Sequence, residues 1–293
     1  MLRSYFGWCA ATLFVTAVAM MAGEPPSFAY NSAAPLDVIY GAQEQLAQGV
    51  ICRAFRLVSD SGRFVTGEVV FGAGQVPHPG VLFVHWLGDT KTMNHTEFEP
   101  DAIALAKRGA TSILVDAAWA EPHWFKHVGT SGSSDLAMTT DQVIDLRRAL
   151  DLLAAQPGLD TDRIAFVGHD FGAMTGALLA GADKRPRWYV LMAATTSFPA
   201  WYLLGKKVSD RDSYLAQMAP IDVLKALRQS HADAYVFQFS THDEYVSADD
   251  ADKMFAAAPA PRGAFFYDTD HALNTPLAFA DRQAWLVEHL FGP

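Results

Sequence analysis

The stretch Val167-Gly168-His169-Asp170-Phe171-Gly172-Ala173 decides the fold of this 293-residue chain. One glycine stands two positions before Asp170 and another two positions after it, behind a short apolar run and ahead of a helical pattern. This spacing predicts a strand-to-helix turn so tight that only small residues fit on either side of Asp170. The turn pushes the Asp170 side chain out at the top of a sheet. A helix-capping aspartate is the alternative, but a cap does not need the paired glycines.

Short apolar runs alternate with amphipathic stretches on both sides of this turn, which indicates an α/β fold with a mostly parallel sheet. An antiparallel hairpin is predicted first, followed by buried strands and amphipathic helices. The hairpin strands are 51–58 and 64–71, and the later strands are 81–84, 112–115, 164–167, 188–192, 234–239 and 264–267. The predicted helices are 97–107, 136–155, 172–179, 249–256 and 281–290.

Composition excludes several classes of protein. The chain is 51% hydrophobic and 18% charged, which is typical of a globular protein. Its 22 basic and 32 acidic residues give a net charge of −10, which argues against nucleic acid or an anionic membrane surface as the main partner. Two cysteines, Cys9 and Cys52, are too few for a disulfide framework or a four-thiolate zinc site.

The N-terminus has the pattern of a targeting segment. A basic start is followed by an uncharged apolar run over 5–23, and Ser27-Phe28-Ala29 offers the small residues that a signal peptidase prefers. Residues 1–29 are therefore predicted to be a secretory signal peptide, which makes the mature protein periplasmic or secreted. An uncleaved N-terminal membrane anchor is the alternative.

Residues 30–293 are predicted to form one domain, because no linker or internal repeat interrupts them. Within it, the interval 193–232 is longer than a simple strand–helix connection requires. This interval is predicted to form a small cap over the carboxyl ends of the strands, where open parallel sheets bind their ligands.

Two further polar residues follow predicted strands in an informative order. If Asp170 is a nucleophile, an acid is expected after a later strand and a histidine after the last one. Asp243 follows the strand 234–239, and His271 follows the strand 264–267. Glu244 and Asp270 are the alternative acids.

With these motifs the chain resembles the α/β-hydrolase superfamily over essentially its whole mature length. The stretch 141–181, with Asp243 and His271, is most similar to dienelactone hydrolases and esterases. The Gly-His-Asp-Phe-Gly turn instead resembles epoxide hydrolases and haloalkane dehalogenases, in which aspartate is the nucleophile. The resemblance implies that Asp170 is the nucleophile, His271 the base and Asp243 its orienting acid.

The resemblance also implies an oxyanion hole. One backbone N–H would come from Phe171 and the other from the loop His85-Trp86-Leu87-Gly88, where we assign it to Trp86. Two residues depart from the family pattern. Trp86 stands where a glycine is common, and Phe171 replaces the tryptophan usual after the nucleophile in the Asp-nucleophile enzymes.

The chemistry of a carboxylate nucleophile narrows the reaction. Attack on an ester carbonyl would give a high-energy anhydride, whereas attack on a saturated carbon gives an ordinary ester. We therefore expect Asp170 to attack an epoxide or alkyl halide, and His271 to activate the water that hydrolyses the resulting ester. The alternatives are a carboxylic-ester or lactone hydrolase with Asp170 as a base for water, and a non-catalytic binding protein with this fold.

The leaving group needs a hydrogen-bond donor. Trp86 and Trp201 are candidates for holding a halide, and Tyr202, Tyr214 or Tyr245 for protonating an epoxide oxygen. Of these, we assign Trp201, Tyr202 and Tyr245 to substrate binding, with core packing as the alternative for each.

No cofactor and no metal is predicted; a small molecule is the expected partner. His123 and His127 have metal-ligand spacing on a helix, but the glycine-rich stretch after them favours a loop. The loop that contains His85, Asp89 and His95 likewise explains those residues without a metal.

Overall fold

The computed structural model describes residues 27–59, 62–74, 76–89 and 94–292. The apolar run at 5–23 therefore lies outside the described residues, as does all but the end of the predicted signal peptide. Among the helices of the described part, none is long and apolar enough to span a bilayer.

The described strands form one nine-stranded sheet in the order β1-β2-β3-β5-β4-β6-β7-β8-β9. The pairs β1–β2, β2–β3 and β3–β5 are antiparallel, and all others are parallel. The strands are β1 Ile39–Ala47, β2 Val50–Val58, β3 Phe64–Gly72, β4 His78–Val84, β5 Thr111–Asp116, β6 Leu159–His169, β7 Pro186–Met192, β8 Ala234–Ser240 and β9 Arg262–Tyr267.

Helices cover both faces of the sheet. Helices α3, α4, α7 and α8 follow one another along one face, and α1 and α9 pack together on the other. The helices are α1 Glu99–Ala106, α2 Trp124–His127, α3 Gly132–Ala154, α4 Phe171–Ala182, α5 Phe198–Tyr202, α6 Arg211–Met218, α7 Val223–Arg228, α8 Ala248–Ala257 and α9 Pro276–Phe291. Short 3₁₀ turns form at His95–Phe98 and Ala118–Ala120.

The central parallel strands are the apolar runs found in the sequence, because a strand covered on both faces must be apolar throughout. Strands β4 and β5 are buried almost completely. The predicted hairpin is present as β2 and β3, but it belongs to a three-stranded antiparallel unit whose outer strand, β1, was not predicted. β1 is mostly exposed and polar, so backbone pairing with β2 fixes it and hydrophobic alternation does not.

The interval 193–232 holds three short helices with different neighbours. Helix α6 packs against α3, and α7 packs against α4 and α8 within the helical layer. Helix α5 contacts Phe171, just after the β6 turn, through the rings of Phe198, Trp201 and Tyr202. Its position is secured by Lys206, whose ammonium donates to the backbone carbonyls of Phe125 and Val128.

Candidate active site

Asp170 occupies the sharp turn between β6 and α4. Its backbone has φ 53° and ψ −115°, a conformation that residues with side chains rarely adopt. The flanking glycines are required by contact: a Cβ on Gly172 would lie 2.2 Å from the Val84 carbonyl oxygen, and one on Gly168 would lie 2.5 Å from the Gly172 oxygen. The local sequence therefore folds as the predicted turn because any larger residue at either position would collide with backbone.

The Asp170 carboxylate is completely buried at the carboxyl end of the sheet. Its Oδ2 accepts a hydrogen bond from the Leu87 N–H at 3.2 Å, and the Phe171 N–H also donates to the carboxylate. Burial raises the pKa of Asp170 to about 7, while His271 and the two N–H groups counteract part of that rise. Oδ1 lies 4.0 Å from His271 Nε2.

His271 and Asp243 form a close pair beside Asp170. Both carboxylate oxygens of Asp243 lie 2.9 Å from His271 Nδ1. Burial alone would raise the pKa of Asp243. Hydrogen bonds from His271 and from the Tyr245 and Val246 N–H groups outweigh burial and hold this pKa below its usual value. Asp243 therefore stays ionised and fixes the His271 tautomer with its proton on Nδ1, leaving Nε2 toward Asp170.

In the loop after β4, the prediction that the Trp86 N–H belongs to the oxyanion hole is wrong. The Trp86 N–H donates to Glu97 Oε2 at 2.9 Å and so does not face Asp170; the N–H that does is that of Leu87. The physical reason lies in His85, whose Nε2 accepts the Ala117 N–H at 3.1 Å and whose Nδ1 lies 2.8 Å from the Trp86 carbonyl oxygen. Because a peptide is planar, fixing the Trp86 carbonyl directs the N–H of the same peptide, that of Leu87, toward Asp170.

Three aromatic side chains, Trp86, Trp201 and Tyr245, form an aromatic roof around His271. Their ring centroids lie 5.6, 5.8 and 5.0 Å from that of His271, with Tyr245 edge-on. His271 is only 4% exposed. The roof therefore covers the His271 ring with aromatic surface.

The other two tyrosines have hydroxyls directed away from this point. The Tyr202 hydroxyl lies 2.8 Å from Thr139 Oγ1, and the Tyr214 hydroxyl donates to Asp135 Oδ2 at 2.6 Å. Both partners belong to α3. Burial raises the pKa of both tyrosines. The Tyr202 ring stacks on Phe171, so its contact with the site is packing through the ring.

The alternative acids do not contact the His271 ring. Asp270 accepts a hydrogen bond from the Ala272 N–H. Glu244 is exposed and borders a cavity of about 380 Å³ beside Trp201 and Tyr245. The lining of this cavity includes neither Asp170 nor His271; it consists of Thr195, Thr196, Ser197, Ala200, Trp201, Leu204, Glu244, Tyr245 and Asp250.

One set of side chains in the described residues has ligand atoms close enough for a metal. Atoms of Glu68, His95 and Glu99 lie within 4.8 Å of one another. His95 Nδ1 is paired at 2.7 Å with Asp116, however, and Glu68 lies in the middle of β3, opposite Leu114 of β5. His85 is separate, since both of its ring nitrogens are bonded to backbone groups.

Sequence reasoning missed Glu97 and the role of His169. Glu97 Oε1 lies 2.7 Å from His169 Nδ1, across 72 positions of sequence. The proximity of His169 to Asp170 in the sequence was the available signal. Nothing in the helical pattern around Glu97 distinguishes it from a solvated acid.

Comparison with known proteins supports the fold. No family model matches the chain. A stretch of 102 residues is 31% identical to polyketide transferase ATR5 of Stachybotrys chlorohalonatus, and it spans 33% of this chain but only 31% of that relative.

Solved structures match over most of the chain. The acetyl xylan esterase from Paenibacillus sp. R4 superposes with a TM-score of 0.73 at 15% identity, covering 88% of this chain and 90% of that one. A cold-adapted esterase from an Arctic intertidal metagenomic library gives 0.61 at 19%, covering 86% and 99%. A protein from Klebsiella pneumoniae described as a dienelactone hydrolase gives 0.63 at 16%, covering 83% and 99%. In sheet order, turn and similarity, this chain has the α/β-hydrolase fold, with a body like that of the dienelactone hydrolases.

Proposed function

We propose that the protein is a hydrolase of small organic molecules whose reacting group is the Asp170 carboxylate. His271 would act as the base, and Asp243 would orient it. The observation that carries the proposal is the position of Asp170 in the turn, with Oδ2 on the Leu87 N–H and Oδ1 facing His271 Nε2. A residue with a side chain at such a positive φ costs about 1–3 kcal/mol, and sites of this kind cluster where function requires them.

In the first candidate reaction, Asp170 displaces a leaving group from a saturated carbon. Oδ1 attacks the carbon, the bond to the halide or epoxide oxygen breaks, and the leaving group departs with its electron pair. His271 Nε2 then takes a proton from water, which attacks the carbonyl carbon of the Asp170 ester. Collapse of the tetrahedral intermediate releases the alcohol, which takes up the proton from His271, and leaves Asp170 as a carboxylic acid. Loss of that acid's proton, to solvent for a halide substrate or back to the Tyr245 oxygen for an epoxide, restores the carboxylate.

The hydrogen bonds of Oδ2 suit the second step of this reaction. When Oδ1 carries the alkyl group, Oδ2 is the carbonyl oxygen that gains negative charge as water attacks. The Leu87 N–H already donates to it, and the Phe171 N–H acts on the same carboxyl group. Each donor of this kind contributes about 3 kcal/mol to stabilising such an intermediate.

The leaving group would meet the aromatic roof. An indole N–H, that of Trp201 in particular, would stabilise a departing halide. The Tyr245 hydroxyl would supply the proton that an opened epoxide needs, since the hydroxyls of Tyr202 and Tyr214 are bonded to α3.

The second candidate is a carboxylic-ester or lactone hydrolase, and the structural neighbours named above favour it over epoxide or halide substrates. In that reaction Asp170 and His271 would together deprotonate a water that attacks the substrate carbonyl. The Leu87 and Phe171 N–H groups would then have to exchange the Asp170 carboxyl group for the substrate oxygen.

A single turnover in H₂¹⁸O separates the two reactions. Purified protein is first tested on halides, epoxides, esters and lactones, with halide, diol and acid measured separately. With enzyme in excess over substrate, displacement places ¹⁸O in the Asp170 side chain and leaves the alcohol unlabelled. Direct water attack labels the acid product and leaves Asp170 unlabelled. The Asp170→Asn variant is the control for background hydrolysis.

The proposal fails if no substrate class is hydrolysed, or if Asp170→Asn matches the wild-type rate on every one. Ligand binding without turnover would instead indicate a binding protein with this fold.

We also propose that the protein is exported, on the basis of the apolar run at 5–23. Expression of the full chain followed by N-terminal sequencing tests this. A mature protein beginning at Tyr30 is expected. An intact chain recovered with membranes would indicate the uncleaved anchor, and an intact chain in the cytoplasm would contradict export.

A further inference from the structure

A hydrogen-bond acceptor lies next to each ring nitrogen of His169, the residue before Asp170. Nδ1 lies 2.7 Å from Glu97 Oε1, and Nε2 lies 3.0 Å from the backbone oxygen of His271. A carbonyl oxygen only accepts, so Nε2 must carry a proton. A second proton must then lie between Nδ1 and the Glu97 carboxyl group, because two acceptors cannot share a hydrogen bond without one.

The surroundings favour placing this second proton on His169. Glu97 Oε2 accepts the Trp86 N–H at 2.9 Å, which favours the ionised carboxylate. The His169 ring stacks on the Trp86 indole at 5.2 Å and 14°, a geometry that stabilises a cation over an aromatic face. His169 is fully buried and the Glu97 side chain is only 15% exposed, so water competes little for these contacts.

We propose that Glu97 and His169 form a buried carboxylate–imidazolium pair that positions His271 and keeps a fixed positive charge beside its ring. The pair touches no reacting atom, so both are positioning residues. The part of this inference that concerns catalysis rests on the function proposed above, whereas the charge state of the pair does not.

The positioning follows from two anchors on His271. Asp243 holds Nδ1 of its ring, and His169 holds its backbone carbonyl. Glu97 in turn holds the Trp86 N–H, so one carboxylate links the loops after β4, β6 and β9.

The electrostatic effect follows from what surrounds the His271 ring. Asp170 and Asp243 are the negative groups that face it, Trp86, Trp201 and Tyr245 are the neutral rings, and His169 lies 5.6 Å away between centroids. The two carboxylates make the electrostatic potential at the His271 ring negative. The His169 charge opposes them, and the Glu97 charge lies on the far side of the His169 ring.

Glu97→Gln removes both charges while keeping every hydrogen bond. Its amide oxygen can accept the Trp86 N–H, and its NH₂ can donate to Nδ1 of a neutral His169 whose Nε2–H still reaches His271. Glu99→Gln is the matched control, since Glu99 lies two residues away and is not bonded to His169. His169→Gln identifies the His169 signals by their loss.

The test is ¹⁵N NMR of histidine-labelled protein at pH 8, without substrate. Both His169 ring nitrogens are expected to be protonated in the wild type and in Glu99→Gln, and only Nε2 in Glu97→Gln. A wild-type His169 with a single protonated nitrogen would overturn the pair. This measurement needs no turnover, so it tests the charge state of the pair independently of the proposed function.

The pH profile tests the effect of this charge on the Asp170–His271 pair, to which the acid limb belongs. The acid limb of kcat/KM is expected to move to higher pH by about one unit in Glu97→Gln, with the plateau changed less than about threefold. The profile of Glu99→Gln should match the wild type. An unmoved acid limb in a Glu97→Gln variant that has lost the imidazolium signal overturns the electrostatic role.

Discussion

Asp170 Oδ1 and His271 Nε2 face each other across 4.0 Å, and neither atom has a hydrogen-bond partner among the described residues. Both side chains are buried, and a buried polar atom without a partner costs about 1–3 kcal/mol. The gap is too long for a hydrogen bond between them. The fold therefore holds two polar atoms without partners close together, at a cost in folding free energy. A molecule bound between them would contact both.

The stability of the Asp170→Asn variant should depend on pH. Burial raises the pKa of Asp170 from 3.8 to about 7, so the folded state holds its proton more tightly than the unfolded state. Wild-type stability therefore falls as pH rises from about 4 to 7, and Asn removes that loss. The gain over wild type should be roughly 2–4 kcal/mol at pH 8 and smaller at pH 5, measured by urea unfolding. The exposed Asp252→Asn is the control, and an equal gain at both pH values would contradict the reasoning.

Activity should rise with pH through about 7, on whichever substrate the screen identifies. Below that pH the Asp170 carboxyl is protonated and can neither attack carbon nor accept a proton. Because Asp170 and His271 interact closely, the measured value belongs to the pair. The check is kcat/KM between pH 5 and 9; a flat profile from pH 5 to 8 would argue against Asp170 as the reacting group.

Asp243→Asn should lower kcat by about 10²–10⁴, because an amide no longer fixes the proton of His271 on Nδ1. Asp270→Asn is the matched control, as Asp270 is an acid in the same loop as His271 whose Oδ1 accepts the Ala272 N–H. Steady-state kinetics at pH 8 measures both. A larger effect of Asp270→Asn would shift the role of orienting acid to that residue.

Gly172→Ala should prevent normal folding or cost more than about 3 kcal/mol. Its Cβ would lie 2.2 Å from the Val84 carbonyl oxygen, and neither backbone can move aside. Gly263→Ala is the control, because its nearest neighbour would be 4.0 Å away. Soluble yield and melting temperature report the difference. Equal stability of the two variants would mean that the turn is not as close-packed as described.

Tyr202→Phe should affect stability, whereas Tyr245→Phe should affect the rate of epoxide opening. The first removes the hydrogen bond to Thr139 and should cost about 1 kcal/mol of stability with little change in rate. The second should slow epoxide opening by about 10-fold or more and leave halide release and stability unchanged. Diol formation and thermal unfolding are the measurements. Slower epoxide opening in the first variant alone would move the acid to Tyr202.

The sequence was most informative where residue type and backbone requirement coincide. The two glycines around Asp170 and the apolar runs of β4, β6 and β8 are dictated by close packing, so their pattern predicts the elements. Residues Leu159–Arg163 at the start of β6 are polar or partly exposed, and for that reason hydrophobicity placed its beginning too late.

The site was less predictable where hydrogen bonds to the backbone determine which N–H group faces Asp170. Whether the Trp86 or the Leu87 N–H faces Asp170 depends on the rotation of single peptide planes, which His85 and Glu97 set from distant elements. Residue order gives no information on that rotation. The proximity of Asp243 and His271 to Asp170, by contrast, was predictable because the ends of parallel strands meet at one edge of the sheet.

The aromatic roof of Trp86, Trp201 and Tyr245 bears on how a molecule reaches Asp170, separately from the chemical steps. Asp170 is fully buried, whereas Tyr245 is 47% exposed and is the roof ring with the most room to move. Under the proposed function a substrate has to pass this roof to reach the carboxylate, and the frequency with which a roof ring moves aside would set a ceiling on turnover. If the chemical steps are fast, the observed rate will follow solvent viscosity more closely than the reactivity of the leaving group.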